Sequence, residues 1–302
     1  MSKPKPKHRP IVVAVLIVVF IWYVLEAGGI VSAKQLYNLF GLNEFCDSAD
    51  TCPVSVHFID VGSGDSILIC CEGHYALIDS GEYSISSKTA SYLKKCGITD
   101  LDLVVATHPD SDHMGDMISV IANFSISVFW LGYAIDPDLE PYASVCAGLL
   151  DTDACVYTPS CGETFTLGSM TLEVLSPNQT YDDDNNNSIV IRAVYEDVSF
   201  LFMGDAESEA EEAILESYGS DKLQTTVLKL GHHGSKTSTT QEFFDAVDPE
   251  YTVISAGETN RYLPAREVVE RVSATELFRT DFDGTVIIAT DGTDIFTFKE
   301  NE

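Results

Sequence analysis

The chain has 302 residues, 45% of them hydrophobic, which is enough for a sizeable core and excludes global disorder. Its formal net charge is −30 at pH 7. A surface this acidic lacks the Lys and Arg array with which proteins grip phosphate backbones, so tight binding of nucleic acid is not expected.

The N-terminus runs against that trend. The basic cap KPKPKHR leads into Ile11–Leu25, fifteen apolar residues without a break. A membrane-spanning helix needs about 20 residues. The run suits the h-region of a secretory signal, with Val31–Ala33 offering small residues for cleavage. With its flanks it also suits a tilted membrane anchor. Both readings keep the basic end inside and export the rest. Residues 1–33 are therefore read as a basic cap plus signal peptide or membrane anchor, 34–53 as a linker, and 54–302 as one domain. The expected location is the cell membrane with an extracellular domain, or the medium after cleavage. Past residue 33, 46 acidic side chains face 13 basic ones.

All eight cysteines follow the apolar run. In an oxidising compartment an even count suggests disulfides. Cys46 and Cys52 bracket a polar loop and form the expected local pair. A second pair is expected among Cys146, Cys155 and Cys161. No C-x-x-C occurs, so a zinc ribbon or a thioredoxin-type site is not supported.

From Val54 the pattern is that of a layered α/β protein. VSVHFID, SILIC and HYALID read as strands, with GSGDS as a tight turn between the first two. SKTASYLKKCG reads as a helix ended by Gly97, LDLVVAT as a buried strand and GDMISVIANF as a helix. After an irregular cysteine-containing stretch, MTLEVLSP, NSIVIRAVY and VSFLFMGD read as strands. The helical ESEAEEAILESY follows, then TTVLKLGHHG as strand into loop. QEFFDAV, YTVISAG, AREVVERVS and TVIIAT continue the alternation of helix and strand. His57 and His74 fall inside strand patterns and read as packing or surface residues.

Four apolar strands end in potential ligands: Asp79, His108, Asp205 and the pair His232/His233. In layered α/β sheets, ligands gather where strand ends and loops meet. In THPDSDHMGD, His108 and Asp110 can reach one ion from a loop. Asp112 and His113 sit just before a helix and can hold a second ion, with Asp205 bridging and His232 or His233 completing the shell. Two ions held this way activate a water and clamp an oxyanion, which is the chemistry of ester and phosphodiester hydrolysis.

The H-x-[HD]-x-D-H pattern resembles the metallo-β-lactamase superfamily. The order HFIDVGSGDSILI, ALIDSG, DLVVATHPDSDHMGD, NNNSIV, FLFMGDAE, VLKLGHHGS resembles the hydrolase domain of the ComEC/Rec2 competence-protein branch, over about residues 54–298. The resemblance implies an αββα sandwich with a dinuclear site at its edge. It implies His108, Asp110, Asp112, His113, Asp205 and His233 as metal ligands, with His232 as the alternative to His233. Asp112 and His232 are assigned to catalysis, His232 as donor to the oxyanion or leaving group when it is not a ligand. Asp79 would brace the ligand loop by hydrogen bonds. Asn187 and Ser188 stand where other branches place a metal-binding histidine, and Ser235 follows the paired histidines.

The sequence also departs from the family pattern. Ser63 replaces a glutamine and Asp116 a glycine. NRYLPARE lacks the histidine of a Y-G-H-P motif, leaving Arg266 as the one substitute. The branch carries a many-helix membrane channel, so DNA uptake by this chain alone is not expected. The expected function is an exported hydrolase using a metal-bound hydroxide on small or phosphodiester substrates, with one or two zinc or manganese ions. The alternatives are an extracellular nuclease of the same fold and a non-catalytic metal-binding surface module.

Overall fold

Alternating side chains in the central strands separate two apolar faces. Ile67, Ile69, Ile78, Leu103, Val105 and Trp130 point one way; Leu68, Leu77, Val104 and Phe129 point the other. Strands buried on both faces need a layer on each side. A computed structural model describes residues 44–49, 51–257 and 262–301. The predicted signal or anchor lies outside them. Among the described residues no helix is long and apolar enough to cross a membrane.

The strands, in chain order, are β1 Val54–Phe58, β2 Ile67–Cys71, β3 His74–Ile78, β4 Asp100–Ala106, β5 Ser125–Leu131, β6 Cys155–Tyr157, β7 Thr164–Leu167 and β8 Met170–Ser176. They continue with β9 Val190–Tyr195, β10 Val198–Phe202, β11 Val227–Lys229, β12 Tyr251–Ile254, β13 Glu276–Arg279, β14 Val286–Thr290 and β15 Ile295–Lys299. One sheet runs β15-β14-β1-β2-β3-β4-β5-β6 and the other β13-β12-β11-β10-β9-β8-β7. Their inner faces share one core, in which Phe58 meets Phe202. Helices Lys88–Lys95, Met117–Asn123 and Tyr142–Leu149 cover the outer face of the first sheet. Helices Ser208–Tyr218, Gln241–Val247 and Arg266–Arg271 cover the second. The fold is an αββα sandwich, as the motif order implies.

The stretch read as irregular is more ordered than its sequence suggests. β5 is an interior strand of the first sheet, parallel to β4, and β6 and the helix Tyr142–Leu149 follow it. Within SISVFWL only Phe129, Trp130 and Leu131 are buried, so the apolar signal is three residues long. β13 and β15 also form where no strand was expected.

The cysteine pairing differs too. Cys46 stands 2.7 Å, sulfur to sulfur, from Cys96 and not against Cys52, which packs under Ala49 and Ile287. No disulfide joins Cys146, Cys155 and Cys161, and Cys46 and Cys96 are likewise unbonded. Cys161 instead donates to the Leu175 carbonyl and meets the Tyr218 hydroxyl. His57 is buried between Ser55 and Tyr92, and His74 pairs with Asp102 at the surface.

Trp130 ties the inter-sheet core to the sheet edge. It is fully buried, lies edge-on to Phe165 and donates its indole N–H to the Tyr157 hydroxyl. Trp130→Ala should cost about 3–5 kcal/mol of stability. Urea denaturation should show a lower midpoint at unchanged slope; an unmoved midpoint would contradict the packing described.

Candidate metal centre

Parallel strands from both sheets deliver the site. β3 and β4 lie side by side and end in Asp79 and in Thr107-His108. β10 and β11, also parallel, lead to Asp205 and to His232-His233. Asp110 opens the short helix Ser111–Met114, which carries Asp112 and His113. Asp79, His232 and His233 hold φ values of 58°, 46° and 52°. Left-handed backbone is costly for such residues and persists only where the surroundings impose it. Gly64 lies so close to this helix that an added Cβ would sit 1.9 Å from the Asp112 carbonyl oxygen. The GSGDS turn therefore needs a glycine there.

Each histidine is held through Nδ1. His113 Nδ1 contacts Asp79 Oδ2 at 2.7 Å and His233 Nδ1 contacts the Ser255 carbonyl at 3.1 Å. His232 Nδ1 contacts Glu207 Oε1 at 2.8 Å. His108 Nδ1 lies 3.0 Å from the Thr107 hydroxyl, which donates to Asp79 Oδ2. Because that hydroxyl proton is committed, His108 must donate from Nδ1. Partners on Nδ1 fix the tautomer and leave the Nε2 lone pair available.

The four Nε2 atoms converge on Asp205. His113 Nε2 is 3.1 Å from Oδ1; His233, His108 and His232 are 3.5, 3.9 and 3.9 Å from Oδ2. His113 and His233 face each other, Nε2 to Nε2, at 3.3 Å. Two imidazole lone pairs at that distance repel unless a cation or a proton lies between them. His108 Nε2 and Asp205 Oδ1 are buried without a hydrogen-bond partner. Burial disfavours charge on His113 and His233, yet the surrounding carboxylates win: His113 is raised well above the ordinary histidine range and His233 to about 10. Burial and neighbouring His113 lower His108 to about 3. Burial opposes ionisation of Asp205 and Asp112, but the adjacent histidines hold both below the usual carboxylate range. The centre calls for positive charge. His108, His113 and Asp205 form one potential ligand group, and Asp112, His113 and His233 another. The donor set fits a divalent metal, which the fold implies.

The remaining predicted residues take separate places. Asp110 sits half-exposed at the rim, its Oδ2 3.8 Å from His108 Nε2. Asp112 Oδ2 is 3.3 Å from His233 Nε2. Asn187 faces away: its amide binds Tyr181 and Asp183 and shapes their loop. Ser188 Oγ accepts from the Asp205 N–H. Ser235 contacts Thr237, which donates to Glu207 and so supports His232. Arg266 does not replace the missing histidine. Its side chain is 91% exposed and pairs with Glu270 on its own helix. Asp116 is buried and accepts from Ser87, which anchors the helix Lys88–Lys95.

The family described as the Metallo-beta-lactamase superfamily matches residues 59–258. Competence protein ComA of Neisseria gonorrhoeae is 33% identical over 232 residues, covering 74% of this chain and 30% of that protein. ComE operon protein 3 of Bacillus subtilis is 28% identical over 255 residues, covering 76% and 32%. The chain thus spans about a third of the length of these relatives. Among solved structures, the metallo-beta-lactamase fold protein YhfI from Bacillus subtilis superposes with a TM-score of 0.52 at 11% identity, covering 82% of this chain and 100% of that one.

Three supporting residues escaped the sequence reading. Glu207 orients His232, and Asp65 and Lys229 form a fully buried pair at 2.8 Å. Lys229 also donates to the Leu230 carbonyl. Asp65 Oδ1, without a hydrogen bond, lies 3.6 Å from His233 Nδ1. Burial alone would raise the Asp65 carboxyl, but Lys229 holds it down. A lysine inside VLKL was the available signal, since a charge amid buried apolar neighbours needs a partner. Lys229→Met strands the Asp65 charge and should cost about 3–5 kcal/mol. Adding Asp65→Asn should restore part of that stability. Additive losses in denaturation of the two singles and the double would show that the pair is not coupled.

Proposed function

We propose that this chain, which belongs to the metallo-beta-lactamase superfamily, is an exported metal-dependent hydrolase acting on small phosphodiester-type substrates. His108, Asp110, Asp112, His113, Asp205 and His233 would hold one or two divalent ions, zinc or manganese. The observation that carries this reading is the convergence of four Nε2 atoms on one buried carboxylate. A bound ion would lower the pKa of water and polarise the phosphoryl oxygen.

The chain's own residues would do the rest. Asp79 and the Ser255 carbonyl hold the His113 and His233 rings in one tautomer, so their lone pairs are set before substrate arrives. His232 differs from the other three. It is partly exposed, belongs to none of the compact ligand groups and is oriented by Glu207. That placement suits a proton donor to the leaving oxygen, within reach of substrate and backed by a carboxylate. Asp110, Asp112 and Glu207 make the rim acidic. Such a rim disfavours a polyanion and favours a small substrate over long nucleic acid. The extracellular nuclease is therefore the second choice.

Three substitutions separate the roles, read by metal analysis and a screen of chromogenic phosphodiester, phosphomonoester and lactam substrates. Asp205→Ala should lower turnover by at least about a hundredfold, because metal activation shifts the water pKa by many units. His233→Ala should lose metal, whereas His232→Ala should keep its metal and lose turnover. Full turnover in the Asp205 variant would place the chemistry elsewhere. Metal-loaded wild type that turns over nothing would favour the non-catalytic binding module.

Asp110 stands where many superfamily members have histidine. A carboxylate is a harder ligand than imidazole and favours oxygen-preferring ions. Manganese should therefore sustain or raise activity, and Asp110→His should shift the preference toward zinc at unchanged fold. Titration with each metal tests this. Two equally tight zinc ions in wild type and variant alike would show that Asp110 does not tune the site.

A further inference from the structure

We infer that Cys46 and Cys96 form a disulfide that staples the segment preceding the sandwich to its outer helical layer. Cys46 lies on the helical turn Glu44–Asp47 and is 5% exposed; Cys96 ends the helix Lys88–Lys95. Their sulfurs are 2.7 Å apart. An approach of roughly 0.7 Å brings them to the disulfide bond length of about 2.05 Å. The pair lines a cavity of about 260 Å³ with Cys52, Cys70 and His57. The Cys46 contact and burial together push the Cys96 thiol up, so in the folded chain it is a poor nucleophile. Once formed, the bond would be shielded from reductants by the same burial.

The bond forms by exchange with a small-molecule or protein disulfide. One cysteine thiolate attacks a sulfur of the co-reactant and expels a thiolate. The second cysteine then attacks the resulting mixed disulfide and expels the other thiolate. The two cysteine sulfurs lose two electrons in total and their two protons go to the expelled thiolates. The co-reactant disulfide is reduced to two thiols.

The helix Lys88–Lys95 gives the staple a consequence. At its far end Thr89 donates to the Ser80 carbonyl and Ser87 to Asp116. Ser80 follows Asp79, and its N–H donates to the His113 carbonyl. The helix is therefore tied at one end to the loops that carry the metal centre. At the other end the disulfide would tie it to the helical turn Glu44–Asp47. Cys52 and Cys70 line the same cavity.

The full chain, refolded with reduced and oxidised glutathione and digested without reduction, should yield a peptide linking Cys46 to Cys96 by mass spectrometry. Reduction should lower the melting temperature by roughly 5–10 °C, as expected for a cross-link closing a loop of this length. Cys46→Ser, Cys96→Ser and the double variant should each show the same loss, not a sum, and Cys52→Ser should show none. A peptide linking Cys46 to Cys52 would overturn the inference. So would eight alkylatable thiols in the unreduced, denatured chain. If the serine variants fail to fold, the wild-type linkage decides the question.

Discussion

Asp79 is fully buried and uses both carboxylate oxygens on the metal centre. Oδ1 accepts the Thr107 N–H; Oδ2 accepts the Thr107 hydroxyl and the His113 ring. Through Thr107 the same carboxylate fixes His108. One side chain thus sets the tautomers of two histidines on two different segments. Burial raises its carboxyl, opposed by His113 and the Thr107 N–H. A buried carboxylate survives only when such bonds are complete, and complete networks are stiff. The left-handed backbone at Asp79 is then understandable, because the carboxylate meets its partners only from there.

The centre has no sheet of its own. Asp79 and His108 leave parallel strands of one sheet, Asp205 and the paired histidines parallel strands of the other. Ile189 N–H donates to the Thr107 carbonyl, so the backbone itself crosses the seam at the site. Geometry around Asp205 therefore depends on how the two inner faces pack, through Phe58 against Phe202 and Trp130 against Phe165. Interiors packed at crystal density transmit small shifts, so residues far from any ligand help hold the ligand distances. The Asp65–Lys229 pair belongs to the same seam. It joins the β1–β2 turn of the first sheet to β11 of the second, next to His233.

The sandwich and the strand ends that carry the candidate site residues were legible because their signals are local. Apolar runs closing on Asp79, His108, Asp205 and His232-His233 mark strand ends whatever the topology. Features that depend on distant partners were not. Cys46 and Cys52 are near in sequence, but the fold sets Cys96 against Cys46, fifty positions further along the chain. β5 was lost because neighbours on both sides, not its own alternation, bury Phe129 and Trp130. Glu207 looked like the start of an acidic helix face. Its contact with His232 needs Asn186, whose side-chain oxygen accepts the Glu207 N–H. Arg266 was the natural substitute for a missing histidine by sequence position, yet a helical Glu270 four residues on captures it at the surface.

The two halves of the centre are not equivalent, and the reason lies outside the ligands. Where related branches carry a further histidine, Asn187 commits its amide to Tyr181 and Asp183, and Ser188 Oγ accepts the Asp205 N–H. Both positions are taken up with holding the loop and the Asp205 backbone. The His108 side then relies on His108, Asp205 and the solvent-facing Asp110, with His113 between the halves. The other side has Asp112, His113 and His233 close together, with His233 further fixed by Ser255 and flanked by the Asp65 carboxylate. A site whose donors are better fixed holds a cation more strongly. In the proposed enzyme the His233 side would therefore keep its ion while the His108 side exchanges. Asp110, at the rim, would then be the residue through which metal supply reaches that side.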